Sequence, residues 1–152
     1  YTLSTEKLAI FRRRQIGLIY QFFNLIPTLN VEENITLPCE LDGQTVDKKR
    51  LDKLIDELGL NGRKTHLPEE LSGGQQQRVS IGRALINRPA IVLADEPTGN
   101  LDKKNSDEIV ELLRRANQEY RQTIIMITHN LEIAKTADRV IVIEDGKIIR
   151  EG

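Results

Sequence analysis

The run Ile91-Val92-Leu93-Ala94-Asp95-Glu96-Pro97 ends an apolar, strand-like segment on two adjacent carboxylates. In an open parallel sheet, ligands bind beyond the carboxyl ends of the strands, so Asp95 and Glu96 are aimed where chemistry would occur. Neighbouring side chains of an extended chain leave it in different directions, which suits two separate tasks. Asp95 can help to hold Mg²⁺ through water, because that ion takes oxygen ligands and keeps much of its hydration. Glu96 can act as a general base that polarises an attacking water. An acidic pair in a solvated loop is common after any strand, but that reading explains none of the other motifs.

A second motif, Leu71-Ser72-Gly73-Gly74-Gln75, precedes a helical segment that runs to Asn87 and ends at Arg88-Pro89. Ser72 and Gln75 form a Ser-x-x-Gln capping box, which predicts a helix start. Gly73 and Gly74 add no side chain, so an anion can approach backbone N–H groups at the positive end of the helix dipole. The segment is built like a phosphate receptor, although a lone capping box is by itself only a helix cap. Two more polar residues follow apolar runs: Gln21 after residues 16–20, and His129 after residues 123–128. A histidine there can hydrogen-bond a γ-phosphate and orient water, and a neutral glutamine amide can contact Mg²⁺ and water without adding charge.

Placing these groups together requires a sheet. Residues 16–20, 91–94, 123–128 and 139–143 read as short, continuously apolar, buried strands. Between the second and third, Ile109, Val110, Leu112, Leu113 and Ala116 form the apolar stripe of a helix, and this strand-helix-strand order predicts parallel pairing. Residues 22–88 read as mainly helical. Asn30 and Glu33 predict a cap ahead of Val31, with Pro38 as the stop. Leu51, Leu54, Ile55 and Leu58 recur at helical spacing, with Asn61-Gly62 as their stop. Asp145-Gly146 predicts a tight turn into residues 147–150, a closing hairpin. The expected fold class is α/β, a mainly parallel sheet built from residues 1–21 and 89–152 with a helical subdomain inserted at 22–88.

A chain of 152 residues fits one domain with a real core. Lys plus Arg number 22 against 23 Asp plus Glu, a net charge of −1, so no global field directs the surface to nucleic acid or acidic lipid. The single cysteine, Cys39, has no companion for a disulfide or metal site, which suits a reducing compartment. No apolar run approaches the ~18 residues needed to span a bilayer. Residue 1 is Tyr and the only Met is Met126. The N-terminus lacks the apolar core of a signal peptide, and upstream residues are expected to precede Tyr1.

As a set, these motifs resemble the ATP-binding subunit of ATP-binding cassette (ABC) transporters, across essentially all of residues 1–152. Gln21 is similar to the family's Q-loop glutamine, Leu71, Ser72, Gly73, Gly74 and Gln75 to its signature sequence, and residues 91–95 to its Walker B strand. Glu96 resembles the catalytic glutamate, Gly99, Asn100, Leu101 and Asp102 the D-loop, and His129 the switch histidine. The resemblance implies a P-loop NTPase-like fold, ATP and Mg²⁺ as cofactors, and ATP hydrolysis. It also implies a head-to-tail homodimer, in which Ser72, Gly73 and Gly74 serve the partner's nucleotide and Gln21, Asp95, Glu96 and His129 the subunit's own. A transmembrane permease partner is implied as well, which puts the protein at the cytoplasmic face of the membrane, with no nucleic acid partner. Phe22, Phe23, Leu25 and Ile26, beside Gln21, are candidates for the surface that meets the permease. The stretches "RRRQIGLIYQFFNLIPTLNVEENITLP" and "DEPTGNLD" look like the branch that exports lipoproteins, macrolides or antimicrobial peptides.

Two departures stand out. Gly82 lies inside the signature helix, where many relatives resemble an Ala; an exposed helical Gly costs about 1 kcal/mol, unless close packing compensates. No Gly-x-x-x-x-Gly-Lys-Ser/Thr loop occurs in the chain. The resemblance puts that Walker A loop upstream of Gln21, so it is expected before Tyr1, and residues 1–152 alone are expected to be inactive. Two alternatives are a non-hydrolysing subunit that only offers residues 72–75 to a partner, and a soluble ABC-type protein acting on DNA or ribosomes. Retention of Glu96 and His129 speaks against the first. Residues 21–71 hold neither the heptads nor the paired cysteines of the DNA-repair type.

Overall fold

Short runs rich in Ile, Leu and Val pair side by side in the computed structural model, which describes residues 4–152. Strands β1 (Ile16–Ile19), β2 (Ile91–Asp95) and β3 (Thr123–Ile127) form one parallel sheet in the order β1-β2-β3, with Ile16 opposite Ile91 and Ile91 opposite Thr123. Parallel pairing follows because helix α5 (Lys103–Tyr120) carries the chain from the end of β2 back to the start of β3. All three carboxyl ends therefore share one edge, and Gln21, Glu96 and His129 lie just beyond them.

The strands expected to be buried on both faces are buried on one. Gly17, Ile19, Val92 and Ala94 face the core with helices α4 (Gly73–Leu85) and α5, whereas Leu18, Leu93, Ile125 and Ile127 on the other face are exposed. That is the period-two alternation of a sheet covered on a single side. Gly17 sets how closely α4 can sit, because a Cβ there would lie 2.6 Å from the carbonyl oxygen of Ala84. The fourth expected strand, β4 (Ile141–Glu144), is exposed at Ile141 and Ile143 and pairs antiparallel with β5 (Lys147–Glu151) instead of joining the larger sheet. Their turn has positive φ at both Asp145 and Gly146, 46° and 73°, as the Asp-Gly pair predicts.

Helix α1 (Thr5–Gln15) has no buried residue, and no apolar periodicity predicts it. Arg13 and Arg14 hold it by reaching Asp42 at 3.3 and 2.7 Å. Helix α2 (Val31–Leu41) begins with the expected capping box: the Asn30 side chain accepts from the Glu33 N–H at 2.9 Å, and the Glu33 carboxylate from the Asn30 N–H at 2.8 Å. Pro38 does not stop this helix, contrary to expectation. Val31, Ile35 and Cys39 recur every four residues on its buried face, and that packing carries the helix past the lost hydrogen bond. Helix α3 (Lys48–Glu57) stops earlier than expected, at Gly59 with φ 66°, and Asn61–Arg63 forms a separate 3₁₀ turn.

Helix α4 packs against α2 and the C-cap of α3, and Gly82 is what lets it fit. A Cβ there would stand 2.8 Å from Leu58 Cδ1 and 3.0 Å from Ile35 Cδ1. Gly82 is buried, so close packing explains the departure from Ala. Among the described residues, no helix is long and apolar enough to cross a membrane.

Candidate functional site

Glu96 leaves β2 in the left-handed region, at φ 44°, a conformation that costs a non-glycine residue about 1–2 kcal/mol. Its own N–H donates to the Ile127 carbonyl at 2.9 Å, so the end of β3 holds it there. The twist carries the carboxylate to the start of the loop after β3. There, one oxygen, Oε1, accepts from the backbone N–H of His129 at 2.9 Å and from its ring Nδ1 at 2.6 Å. The Glu96 side chain is 17% exposed and that of His129 84%, so the acid is sheltered and the imidazole faces outward. With Nδ1–H committed to the carboxylate, Nε2 is the ring atom left for a ligand, and Oε2 is the carboxylate oxygen left for a water. A cleft of about 780 Å³ opens beside both residues, with Thr98, Gly99 and Leu101 in its wall.

Gln21 belongs to a second contact. Its backbone carbonyl accepts from the Asn100 side chain at 3.0 Å, and its amide nitrogen reaches Asn100 Oδ1 at 3.4 Å. Gly99 packs against the same side chain: a Cβ there would lie 2.8 Å from the Gln21 amide nitrogen. Asp95 is exposed at the end of β2 and unpaired among the described residues. The fold thus joins Glu96 to His129 and Gln21 to residues 99–100, all at the carboxyl edge of the sheet.

Residues 71–75 lie elsewhere. The Ser72 side chain accepts from the Gln75 N–H at 3.3 Å and the Gln75 side chain from the Ser72 N–H at 3.0 Å, the predicted capping box. Leu71 is buried in the core. Gly74 is buried too, and a Cβ there would meet the Asn105 amide oxygen, so the Asn105 side chain of α5 would have to turn aside. Gly73 lies against Phe23 and Leu101, 3.6 and 3.7 Å from where its Cβ would be. None of residues 72–75 lines the cleft beside Glu96.

Asp102 caps α5 by accepting from the Asn105 N–H at 2.8 Å, and that bond holds its carboxyl below the ordinary value of 3.8. Phe22 is 71% exposed and Ile26 is exposed with it, whereas Leu25 packs on the core. Phe23 is half-buried, so the four apolar residues divide into two at the surface and two that pack inward.

A family model described as "ABC transporter" matches residues 3–99. The chain belongs to the ABC transporter family. The lipoprotein-releasing system ATP-binding protein LolD 1 of Chlorobium luteolum is 44% identical over 150 residues, 97% of this chain and 64% of that protein. The macrolide export ATP-binding/permease protein MacB of Brucella melitensis is 47% identical over 152 residues, 99% of this chain and 23% of that protein. Among solved structures, the ATP-binding cassette MJ0796, a dimer in a post-hydrolysis state bound to ADP and Pi, matches with a TM-score of 0.85 and 39% identity, covering 99% of this chain and 67% of its own. The ABC chain spans 59 to 66% of the length of the curated ATP-binding relatives YvcR of Bacillus subtilis and MJ1508 of Methanocaldococcus jannaschii.

Two side chains of this ABC chain that motif reading passed over hold the site's loops. Arg83 of α4 donates to the carbonyls of Phe23 and Asn24 at 3.0 and 2.7 Å, and burial lowers its pKa. Gln77, fully buried in the same helix, donates to the carbonyls of Pro97 and Tyr20 at 2.7 and 3.3 Å. A polar residue on the apolar stripe of a helix is the one sequence signal that marks Gln77.

Proposed function

We propose that the protein is the ATP-hydrolysing subunit of an ABC transporter and that Glu96 is its catalytic base. The observation that carries this reading is the Glu96 carboxylate, held on one oxygen by His129 at 2.6 and 2.9 Å, with the other oxygen free. The free oxygen takes a proton from water attacking a γ-phosphate at the sheet edge, and Nε2 of His129 contacts that phosphate or its water. Asp95 and Gln21 would hold Mg²⁺, which would neutralise charge on the phosphate oxygens when bound. With so few protein ligands there, water and phosphate oxygens would have to complete the ion's shell, as Mg²⁺ commonly requires.

The separation of residues 72–75 from the Glu96 cleft supports a head-to-tail homodimer in which Ser72, Gly73 and Gly74 meet the partner's nucleotide. Gly99, Asn100, Leu101 and Asp102 then lie at the dimer contact. Residues 22–88 act as a helical subdomain on a core of residues 1–21 and 89–152. Phe22 and Ile26 form the exposed apolar contact for a transmembrane permease, which holds the subunit at the cytoplasmic face of a membrane. Similarity to LolD 1 and MacB supports a substrate moved outward or extracted from a membrane's outer face.

Steady-state ATP hydrolysis by the full-length protein tests the assignment. Glu96→Gln should keep ATP binding and lower kcat at least ~100-fold, within the range general bases contribute. Undiminished turnover in that variant sinks it.

A further inference from the structure

We propose that Gln77 is a positioning residue that ties the start of α4 to both catalytic loops of the same subunit. Its side chain is completely buried, and the two N–H bonds of its amide are spent on two carbonyls from distant parts of the chain, Tyr20 and Pro97. Tyr20 is the residue immediately before Gln21, and Pro97 the residue immediately after Glu96. A glutamine that only filled space or capped a local turn would have no reason to select these two acceptors. Between them, they fix how far the end of β1 stands from the loop after β2, and so where Gln21 and Glu96 stand relative to one another.

The same side chain is anchored one turn inside α4. At 1.5 Å rise per residue, Gln77 lies about 6 Å along the axis from Gly73, and the helix between them is a rigid element. A ligand pressing on Ser72 and Gly73 displaces Gln77 by as much as it displaces the helix start. Hydrogen bonds weaken as they lengthen, and the one to Tyr20 is already 3.3 Å, so a small shift of α4 must move the two carbonyls with it or weaken their hold. Gly74 against Asn105 and Gly73 against Leu101 add contacts between the same helix start and residues 101–105. The inference rests on the proposed role of residues 72–73 as a ligand-contacting end and of Gln21 and Glu96 as hydrolytic groups.

Two variants and two measurements test it. Gln77→Met keeps the length and removes both donors; Gln77→Glu keeps the shape and replaces the NH₂ by oxygen. In the full-length protein both should lower kcat for ATP about tenfold or more while leaving KM for ATP within about twofold, because Glu96 acts on the attacking water rather than on the nucleotide as a whole. In hydrogen exchange, the amides of Glu96 and Gly99, which donate to the carbonyls of Ile127 and Glu96, should exchange about tenfold faster, and that of Ile86, at the far end of α4, should not change. Parental kcat in either variant, or unchanged protection of Glu96 and Gly99, overturns the proposal. If Gln77→Met fails to fold, Gln77→Asn, which retracts the same amide by one carbon, carries both measurements. A parent without ATPase activity would sink the catalytic reading and leave the exchange comparison to decide the positioning role.

Discussion

Oε1 of Glu96 accepts two hydrogen bonds from a single residue, His129: one from its backbone N–H at 2.9 Å and one from its ring at 2.6 Å. A carboxylate that accepts from the ring requires the proton on Nδ1, which leaves Nε2 able to accept when the ring is neutral and to donate only when it is protonated. The backbone bond survives any substitution of the imidazole.

His129→Ala should therefore lower the rate of ATP hydrolysis by the full-length protein by about tenfold, less than Glu96→Gln, because Glu96 keeps its backbone tether and loses only the ring contact. Single-turnover hydrolysis, with ATP affinity measured separately, checks this. A His129→Ala protein as fast as its parent would show that the ring does nothing for Glu96 in the role proposed for it.

Asn34 is fully buried and accepts from the Ile26 N–H at 2.8 Å, while its amide donates to the carbonyls of Ile26, Leu29 and Asn30 at 3.1, 2.8 and 3.1 Å. These bonds shape the loop between Gln21 and α2. Asn34→Leu leaves the loop's polar groups without partners in an apolar site and should cost about 3 kcal/mol, read as a lower urea midpoint at unchanged slope. A loss below about 1 kcal/mol would mean that water replaces the amide.

Gly82→Ala gains about 1 kcal/mol of helix propensity but drives a methyl group toward Ile35 and Leu58, an overpacking cost of about 1–3 kcal/mol. Net destabilisation is expected. Ile35→Val removes the Cδ1 that stands 3.0 Å away, so the pair should couple favourably by about 1 kcal/mol in a four-protein unfolding cycle. Additivity within about 0.3 kcal/mol would show that α4 is not wedged there.

The acid limb of stability has two identifiable contributors. The Arg14 guanidinium hydrogen-bonded to Asp42, and the Asn105 N–H bonded to Asp102, hold both carboxyls below their ordinary value of 3.8. The unfolded chain then takes up protons first as pH falls, so their stabilisation is complete above about 3.8 and fades as pH drops through the folded-state values. Asp42→Asn combined with Asp102→Asn should flatten the fall in stability below pH 3.8 in an acid titration followed by circular dichroism. An unchanged slope would assign acid unfolding to other carboxylates.

Several features were legible because their causes are local. The capping boxes Ser72–Gln75 and Asn30–Glu33 span four residues, and the Asp145-Gly146 turn spans two. The strand-helix-strand order from Ile91 to Ile127 decides parallel pairing through chain connectivity alone. Because each strand is followed directly by its polar residue, the shared edge for Gln21, Glu96 and His129 was also determined by the amino-acid order.

Other features came only from the packed chain. Pro38 is tolerated because Ile35 and Cys39 are pinned in the core, and Gly82 is required because Leu58 and Ile35 crowd it. The αL turn at Glu96, the grip of His129 and the two carbonyls held by Gln77 join residues 20 to 57 positions apart. The sequence by itself determined which groups could do chemistry and which edge they share. Tertiary structure decided which of them touch, because a hydrogen bond needs its partners placed within a few tenths of an ångström, and only the closed packing of the helices on the sheet supplies that.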